Sequence, residues 1–138
     1  MMIRKIRDSK GTIAIEFVLV IPIFLIFVFG TIDFGWYFFC DHTIELATRE
    51  GARLGVVISE EYAIKEKIKD CASIAVVLDD SNISISQDPQ DANVKRVLTQ
   101  YTHDFLTPII GAFFSGGSIT IQAEVTYKVE PEPYVPPS

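Results

Sequence analysis

The most prominent pattern in the chain is an apolar run near its start. Residues 17–32 are sixteen consecutive positions without a charge, and a helix covers roughly 24 Å with them at about 1.5 Å per residue. A hydrocarbon core is about 30 Å thick, so the run spans it if Glu16 and Asp33 lie near the two membrane interfaces. The pattern therefore predicts a transmembrane helix, with Trp36 and Tyr37 in the aromatic belt at one interface.

The helical period continues beyond this run. Apolar residues recur at intervals of three and four through residues 40–58, which is typical of an amphipathic helix. Three members of this stripe are small and four residues apart, so they leave a groove that lets another backbone approach. We expect the next helix of the same chain to fill this groove, with a second subunit as the alternative. The three residues are Ala47, Gly51 and Gly55.

Two further helices are predicted after the first. One covers residues 60–78, with Ser59 as a candidate N-cap. The other is indicated by apolar residues at helical spacing within residues 91–105, and Pro108 should end or bend it.

Strands are predicted in two places. Residues 83–86 and 119–129 alternate between apolar and polar side chains, and we expect the two strands to pair and to lie against the helices. The apolar residues within 109–114 are expected in the core, with the membrane surface or a partner as alternatives. The proline-rich residues 131–138 predict an extended tail. The fold class is therefore α+β: a long N-terminal transmembrane helix that continues into a small extracytoplasmic domain, with two to three helices packed on a short antiparallel sheet.

Charge is divided unevenly along the chain. The first eleven residues carry a net charge of +3, and the remainder carries eight basic and seventeen acidic residues, a net charge of −9. A basic segment before an apolar helix predicts a cytoplasmic N-terminus and an acidic domain on the far side of the membrane. An acidic domain repels phosphates, so nucleic acid is not an expected partner.

The residues that could carry chemistry are few. Cys40 and Cys71 lack metal-ligand spacing, and a disulfide between them is a candidate only if the domain is exported. His42 and His103 are isolated, so we expect surface or interface positions for both. There is no glycine-rich phosphate loop, nucleophile elbow or zinc signature. We therefore expect no catalysis, no cofactor and no metal.

Four motifs follow one another in the first part of the chain. They are residues 11–17 (GTIAIEF), Pro22, residues 30–35 (GTIDFG) and residues 47–53 (ATREGAR). Together they resemble the type IV prepilin class and, within it, the TadE-like pseudopilins of tight-adherence (Flp) pili. The resemblance implies that a membrane prepilin peptidase cuts between Gly11 and Thr12, which would leave Glu16 as the fifth residue of the mature protein.

Glu16 has a physical reason to need a partner. An unpaired carboxylate within a membrane helix costs on the order of 2.5 to 3.5 kcal/mol on insertion scales, and cleavage would create a positively charged α-amine at Thr12. Our hypothesis, which the resemblance also implies, is that Glu16, next to Phe17, meets the Thr12 amine of an adjacent subunit and sets the axial register. The alternative is a carboxylate paired with lipid headgroups or water.

Three other positions in the apolar helix bear on packing. Pro22 lacks a backbone donor and should loosen or kink the helix, either as a tolerated proline or as a hinge. Gly30 and Gly35 remove side-chain bulk, so we expect a neighbouring helix to approach closely there.

The resemblance implies a minor pilin or pseudopilin of the inner membrane that takes part in pilus assembly. Its partners would be the prepilin peptidase, other pilins through the N-terminal helix, and the assembly platform with its ATPase. The predicted segments are a leader (residues 1–11), the membrane helix and its extension (12–58), the α+β domain (59–130) and the tail (131–138). The alternatives are an uncleaved single-pass protein whose outer domain binds a partner or senses envelope conditions, and a small surface adhesin.

Overall fold

A computed structural model of the chain describes residues 9–112 and 117–129. The predictions for residues 1–8, for Phe113 and Phe114, and for the tail at 131–138 lie outside the described residues. The described elements are α1 (Ser9–Val57), α2 (Glu61–Ala72), a 3₁₀ turn (Asp80–Asn82), β1 (Ile83–Gln87), β2 (Val94–Asp104), α3 (Pro108–Gly111) and β3 (Ser118–Lys128).

Helix α1 is 49 residues long and continues through Pro22 without interruption. Three of its threonines, Thr31, Thr43 and Thr48, have hydroxyls that donate to carbonyl oxygens one turn earlier, so they do not interrupt it. Thr31 Oγ1 donates to Phe27 O at 2.9 Å, and Thr48 Oγ1 lies 2.7 Å from Ile44 O. This local bonding satisfies polar side chains that otherwise have few partners on an apolar helix.

Helix α2 packs against the second half of α1. Its buried residues, Ile64, Ile68 and Ala72, recur at four-residue intervals, as an amphipathic helix requires. The helix is shorter than predicted, because the chain turns after Ala72 and does not continue to Leu78. The prediction of Ser59 as N-cap is also wrong. Glu60 occupies that position, and its side chain makes no capping hydrogen bond.

The sheet has three antiparallel strands in the order β1-β2-β3. Strand β2 is central, and Val97 lies opposite Ile85 on one side and Val125 on the other. Both predicted strands are present, but their direct pairing is wrong, because β2 lies between them. A central strand supplies hydrogen-bond partners to both neighbours, which two strands alone would lack.

The helix predicted within residues 91–105 is wrong, because this segment forms β2. The buried positions of β2 alternate, as Val97, Thr99 and His103 show. Two of these three side chains are polar, so the buried face does not register as an apolar period of two. The helical spacing of the apolar residues in this segment therefore does not reflect its structure.

The core lies between the second half of α1, helix α2 and one face of the sheet. Ile44, Ile68 and Val97 are fully buried there. A buried hydrogen bond of 2.9 Å between the hydroxyls of Thr48 and Thr99 joins α1 to β2. These contacts confirm the α+β class and show that α1 is part of the domain as well as its N-terminal extension.

Candidate functional site

The first half of α1 projects a large exposed apolar surface. Phe27 is 76% exposed, and Phe17, Ile23 and Phe24 are exposed to a similar extent. Within the described part of the chain, α1 is the helix whose length and composition allow it to cross a membrane, and its most apolar 18-residue stretch is not buried at all inside the protein. A surface of this size and apolarity marks a membrane or partner contact.

The predicted cleavage residues lie at the start of this half. Gly11 and Thr12 are in the first turns of α1, and both are exposed. A Cβ atom added at Gly11 would meet no atom within 4 Å. The described structure therefore leaves space around the Gly11–Thr12 bond.

Glu16 is exposed within the apolar half of α1, next to Phe17, which is also exposed. Among the residues whose side chains the structure describes (11–108, 110–112 and 117–129), its carboxylate has no hydrogen-bond or ion-pair partner. The nearby side chains on the same helix, such as Ile13 and Val20, are apolar and exposed. Any partner for Glu16 in a membrane must therefore come from outside this part of the chain.

Asp33 has the opposite environment. It is only 2% exposed, and its carboxylate accepts hydrogen bonds from the backbone N–H of Leu106 at 3.2 Å and of Thr107 at 3.1 Å. The Thr107 hydroxyl also donates to it. The Asp33 carboxylate is therefore satisfied inside the protein, because the chain runs back along α1 after β2.

Aromatic side chains at the end of β2 and just after it also pack against α1. The ring of His103, at the end of β2, lies edge-on to Tyr37 with centroids 5.8 Å apart. Phe105 packs edge-on against Phe34 at 6.3 Å. His103 is buried, so a surface position is wrong for it, whereas the side chain of His42 is exposed as expected.

The small residues of the second half of α1 contact the rest of the domain. A Cβ added at Gly51 would lie 2.3 Å from Cγ1 of Ile68 on α2, and one added at Gly55 would lie 2.5 Å from the ring of Tyr127 on β3. Ala47 is buried in the same core. The groove is filled from within the chain, partly by α2 and partly by the sheet.

Gly30 and Gly35 differ from these residues. A Cβ at Gly30 would lie 3.5 Å from Cδ1 of Ile110 on α3, while one at Gly35 would meet nothing within 4 Å. Both glycines line an open apolar concavity together with Phe34 and Phe38. The described chain therefore fills the space beside Gly30 in part and leaves the space beside Gly35 open.

Cys40 and Cys71 are the candidates for a disulfide. Cys40 is buried, Cys71 is half-buried, and both are free thiols, so the candidate disulfide is not formed in this structure. No group of three or more His, Cys, Asp or Glu residues that could hold a metal occurs in the described ranges.

An ion pair joins α2 to the 3₁₀ turn before β1. Lys69 Nζ lies 2.5 Å from Asp80 Oδ1 and 2.8 Å from Glu66 Oε1. The hydrogen bond from Lys69 lowers the pKa of Asp80, and the same bond, followed by that to Glu66, raises the pKa of Lys69. These groups lie at the surface, so the contact tethers the turn without entering the core.

Leu106 and Thr107 are site residues that the sequence reasoning missed. A signal was present, because a threonine directly before a proline is typical of an N-cap followed by the first residue of a helix. Thr107 is the N-cap of α3, but its side chain makes no capping bond and donates to Asp33 instead. The Thr-Pro pair could have predicted α3 but not its partner on α1.

Comparison with known proteins identifies a protein family for the N-terminal part of the chain. Residues 11–53 match the family model described as TadE-like protein, which confirms the resemblance seen in the ordered motifs. The matched segment includes Glu16 and Asp33 and covers most of α1, and it ends before α2 begins. No curated protein and no solved structure matches the chain.

Proposed function

From the match of residues 11–53 to the TadE-like family, we propose that the protein is a minor pilin that takes part in assembly of a tight-adherence pilus. In this proposal α1 first anchors the chain in the inner membrane, with the N-terminus cytoplasmic and the α+β domain extracytoplasmic. The helix then leaves the bilayer and packs among other pilin helices. The protein acts as a substrate of a prepilin peptidase and not as an enzyme.

The observation that carries the proposal is the contrast between two carboxylates in the exposed half of α1. Asp33 receives three hydrogen bonds from the β2–α3 segment, so its charge is satisfied within the chain. Glu16 receives none from the described residues. A membrane helix that keeps an unsatisfied carboxylate is best explained by a partner that arrives later.

Cleavage between Gly11 and Thr12 would supply that partner. Hydrolysis of this peptide bond leaves an α-amine on Thr12, which carries a positive charge near neutral pH because such amines titrate around pH 7.7 to 8.0. Glu16 lies about 6 Å farther along the helix axis at about 1.5 Å per residue. A neighbouring subunit displaced by this distance would bring its Thr12 amine level with Glu16, beside the exposed ring of Phe17.

The remaining partners follow from this sequence of steps. A prepilin peptidase cuts the leader, other pilins contact the exposed half of α1, and an assembly platform with its ATPase supplies the work of extracting an apolar helix from the bilayer. The acidic domain has no role in binding nucleic acid in this proposal, since its net charge repels phosphates.

The processing step is tested by N-terminal sequencing and intact mass of the protein purified from membranes that contain the peptidase. We expect a mature chain that starts at Thr12. Gly11→Val should block cleavage, because it adds bulk beside the cut bond, whereas the matched variant Gly35→Val should be cleaved normally. Recovery of full-length chains starting at Met1 from assembled pili would contradict the proposal and favour the uncleaved single-pass alternative.

The pairing step is tested separately with Glu16→Gln, which keeps the shape of the side chain and removes its charge. We expect normal cleavage and loss of most incorporation into pili, measured by immunoblot of sheared fibres. Asp41→Asn removes an acid farther along α1 and should leave incorporation unchanged. If Glu16→Gln subunits enter fibres as well as the unmodified protein does, Glu16 does not pair with the Thr12 amine.

A further inference from the structure

We propose that residues 106–112, the segment that follows β2 and contains α3, are a lipid-binding surface that dips into the outer leaflet beside α1. The ligand is the acyl-chain region of the bilayer, contacted by Leu106, Pro108 and Ile110. This inference rests on the proposed membrane anchoring of α1. It concerns a contact of the domain with lipid that is separate from the contacts between pilin helices.

Contacts between the segment and α1 fix the depth of the segment along the helix. After β2 the chain runs antiparallel to α1 and descends its surface: Thr107 bonds to Asp33, and Ile110 reaches Gly30. At about 1.5 Å per residue, Gly30 lies roughly 9 Å below Trp36 on the helix axis. If Trp36 marks the aromatic belt, residues 106–112 lie on the acyl-chain side of it.

Helix α1 carries exposed apolar side chains over the same range of depth. On α1, the side chains of Phe27, Ile32 and Phe38 are exposed below, at and above this depth, respectively. A bilayer that covers these side chains also reaches the segment packed beside them. The contact is therefore an extension of the surface that already marks α1 as a candidate membrane helix.

The segment itself carries no charge. Residues 105–112 contain no charged side chain, and Leu106 is 75% exposed. The nearest charge before it is the exposed Asp104, at the end of β2. The sequence thus changes from charged to apolar at the point where the chain passes the level of Trp36, as expected for a crossing from headgroups to acyl chains.

Irregular backbone at membrane depth requires its polar groups to be satisfied within the protein. Asp33 accepts from the N–H groups of Leu106 and Thr107, and Pro108 has no N–H to satisfy. The N–H groups of Gly111 and Ala112 donate to the carbonyls of Thr107 and Pro108, each at 3.0 Å. In this proposal the buried carboxylate of Asp33 is what allows a turn to lie at this depth.

The experiment uses the single tryptophan of the chain. In full-length Trp36→Phe protein, a new tryptophan is placed at Leu106, and the protein is reconstituted into phosphatidylcholine vesicles with brominated acyl chains, which quench tryptophan on contact. We expect Leu106→Trp to be quenched several-fold more than Tyr62→Trp, because Tyr62 is equally exposed, at 71%, but lies at the far end of the domain. Ala112→Trp provides a second probe of the segment that does not depend on the Leu106 side chain.

The control for anchoring is Phe24→Trp, which lies in the middle of the apolar run. Quenching at position 24 without quenching at positions 106 and 112 would overturn the lipid contact and leave the membrane anchor intact. Absence of quenching at position 24 would overturn both. A blue-shifted but unquenched Leu106→Trp signal would show that protein and not lipid covers the segment, and this also contradicts the proposal.

Discussion

The two halves of α1 belong to one continuous helix but have opposite surroundings. Within residues 11–39 most large apolar side chains are exposed, whereas Ile44, Ala47 and Thr48 in residues 40–57 are buried by α2 and the sheet. The second half therefore completes its packing within the chain. The first half has to complete it with lipid or with other subunits, and this is the physical basis of the proposal that it serves in anchoring and assembly.

The small residues show the same contrast. Ile68 and Tyr127 occupy the space beside Gly51 and Gly55, while the space beside Gly35 is open. The glycines of the second half are required by contacts that already exist. Gly35 in the first half can matter only for a contact that the described chain does not make.

The largest expected difference between the halves comes from matched core truncations. Ile44→Ala removes a fully buried side chain and should lower the free energy of unfolding by about 2 to 5 kcal/mol. Ile23→Ala makes the same change at a 70% exposed position of the same helix and should alter it by less than about 0.5 kcal/mol. Urea unfolding in a mild detergent, followed by near-UV circular dichroism, measures both. Equal losses would mean that the first half also packs within the domain.

Asp33 is the exception in the first half, since it is bonded within the chain. Asp33→Ala should cost about 1.5 to 3 kcal/mol for loss of hydrogen bonds to a charged group and should speed amide exchange at Leu106 and Thr107. Asp33→Asn keeps one carbonyl acceptor and should have a smaller effect. Hydrogen exchange resolved by residue makes the test, with the amide of Thr99 in β2 as an internal reference. Unchanged exchange at both amides would show that Asp33 does not hold the segment.

The glycine contrast gives a smaller effect. Gly51→Ala forces Ile68 to move and should destabilise the domain by up to about 2 kcal/mol, since overpacking costs about 1 to 3 kcal/mol and the higher helix propensity of alanine offsets about 1 kcal/mol of this. Gly35→Ala meets no neighbouring atom and should leave domain stability unchanged or slightly raised. Thermal melts of the two variants in the same detergent compare them directly, and a stabilised Gly51→Ala protein would contradict the packing of α2 on α1.

The helix in the first half of α1 could be predicted well from sequence, because a long uncharged apolar run favours a helix of this length. The groove at Ala47, Gly51 and Gly55 predicted close approach, but not that Tyr127 on β3 would fill part of it. That contact joins positions more than seventy residues apart, and local periodicity carries no information about it.

One error and one missed contact have identifiable physical causes. In β2 the buried face includes Thr99 and His103, so a pattern based on apolar residues alone missed an alternation that β-branched and aromatic content could have supported. For Asp33, the position at the end of the apolar run predicted a place near the membrane interface but did not predict burial within the protein. The donors that bury it come from Leu106 and Thr107, and only the folded chain brings them to α1.

The smallest expected effect is the pH dependence of an ion pair in the packed domain, away from the exposed half of α1. The pKa of Asp80 is lowered from its ordinary value of 3.8 by the hydrogen bond from Lys69, so the contact stabilises the fold above the unfolded pKa and is lost as the pH falls through the folded value. The pKa of Lys69 is raised from 10.5, so its contribution is present below that value and is lost as the pH rises through the folded one. Between these limits the coupling should be constant.

A double-mutant cycle of Asp80→Asn and Lys69→Gln, measured by thermal unfolding, isolates this pair from Glu66. We expect a small favourable coupling near neutral pH that disappears in strong acid and weakens with added salt, since both groups are at the surface. Ile23→Ala in the same background should leave the coupling unchanged, because the first half of α1 makes no contact with it. A coupling that persists in acid would mean that shape and not charge holds the turn against α2.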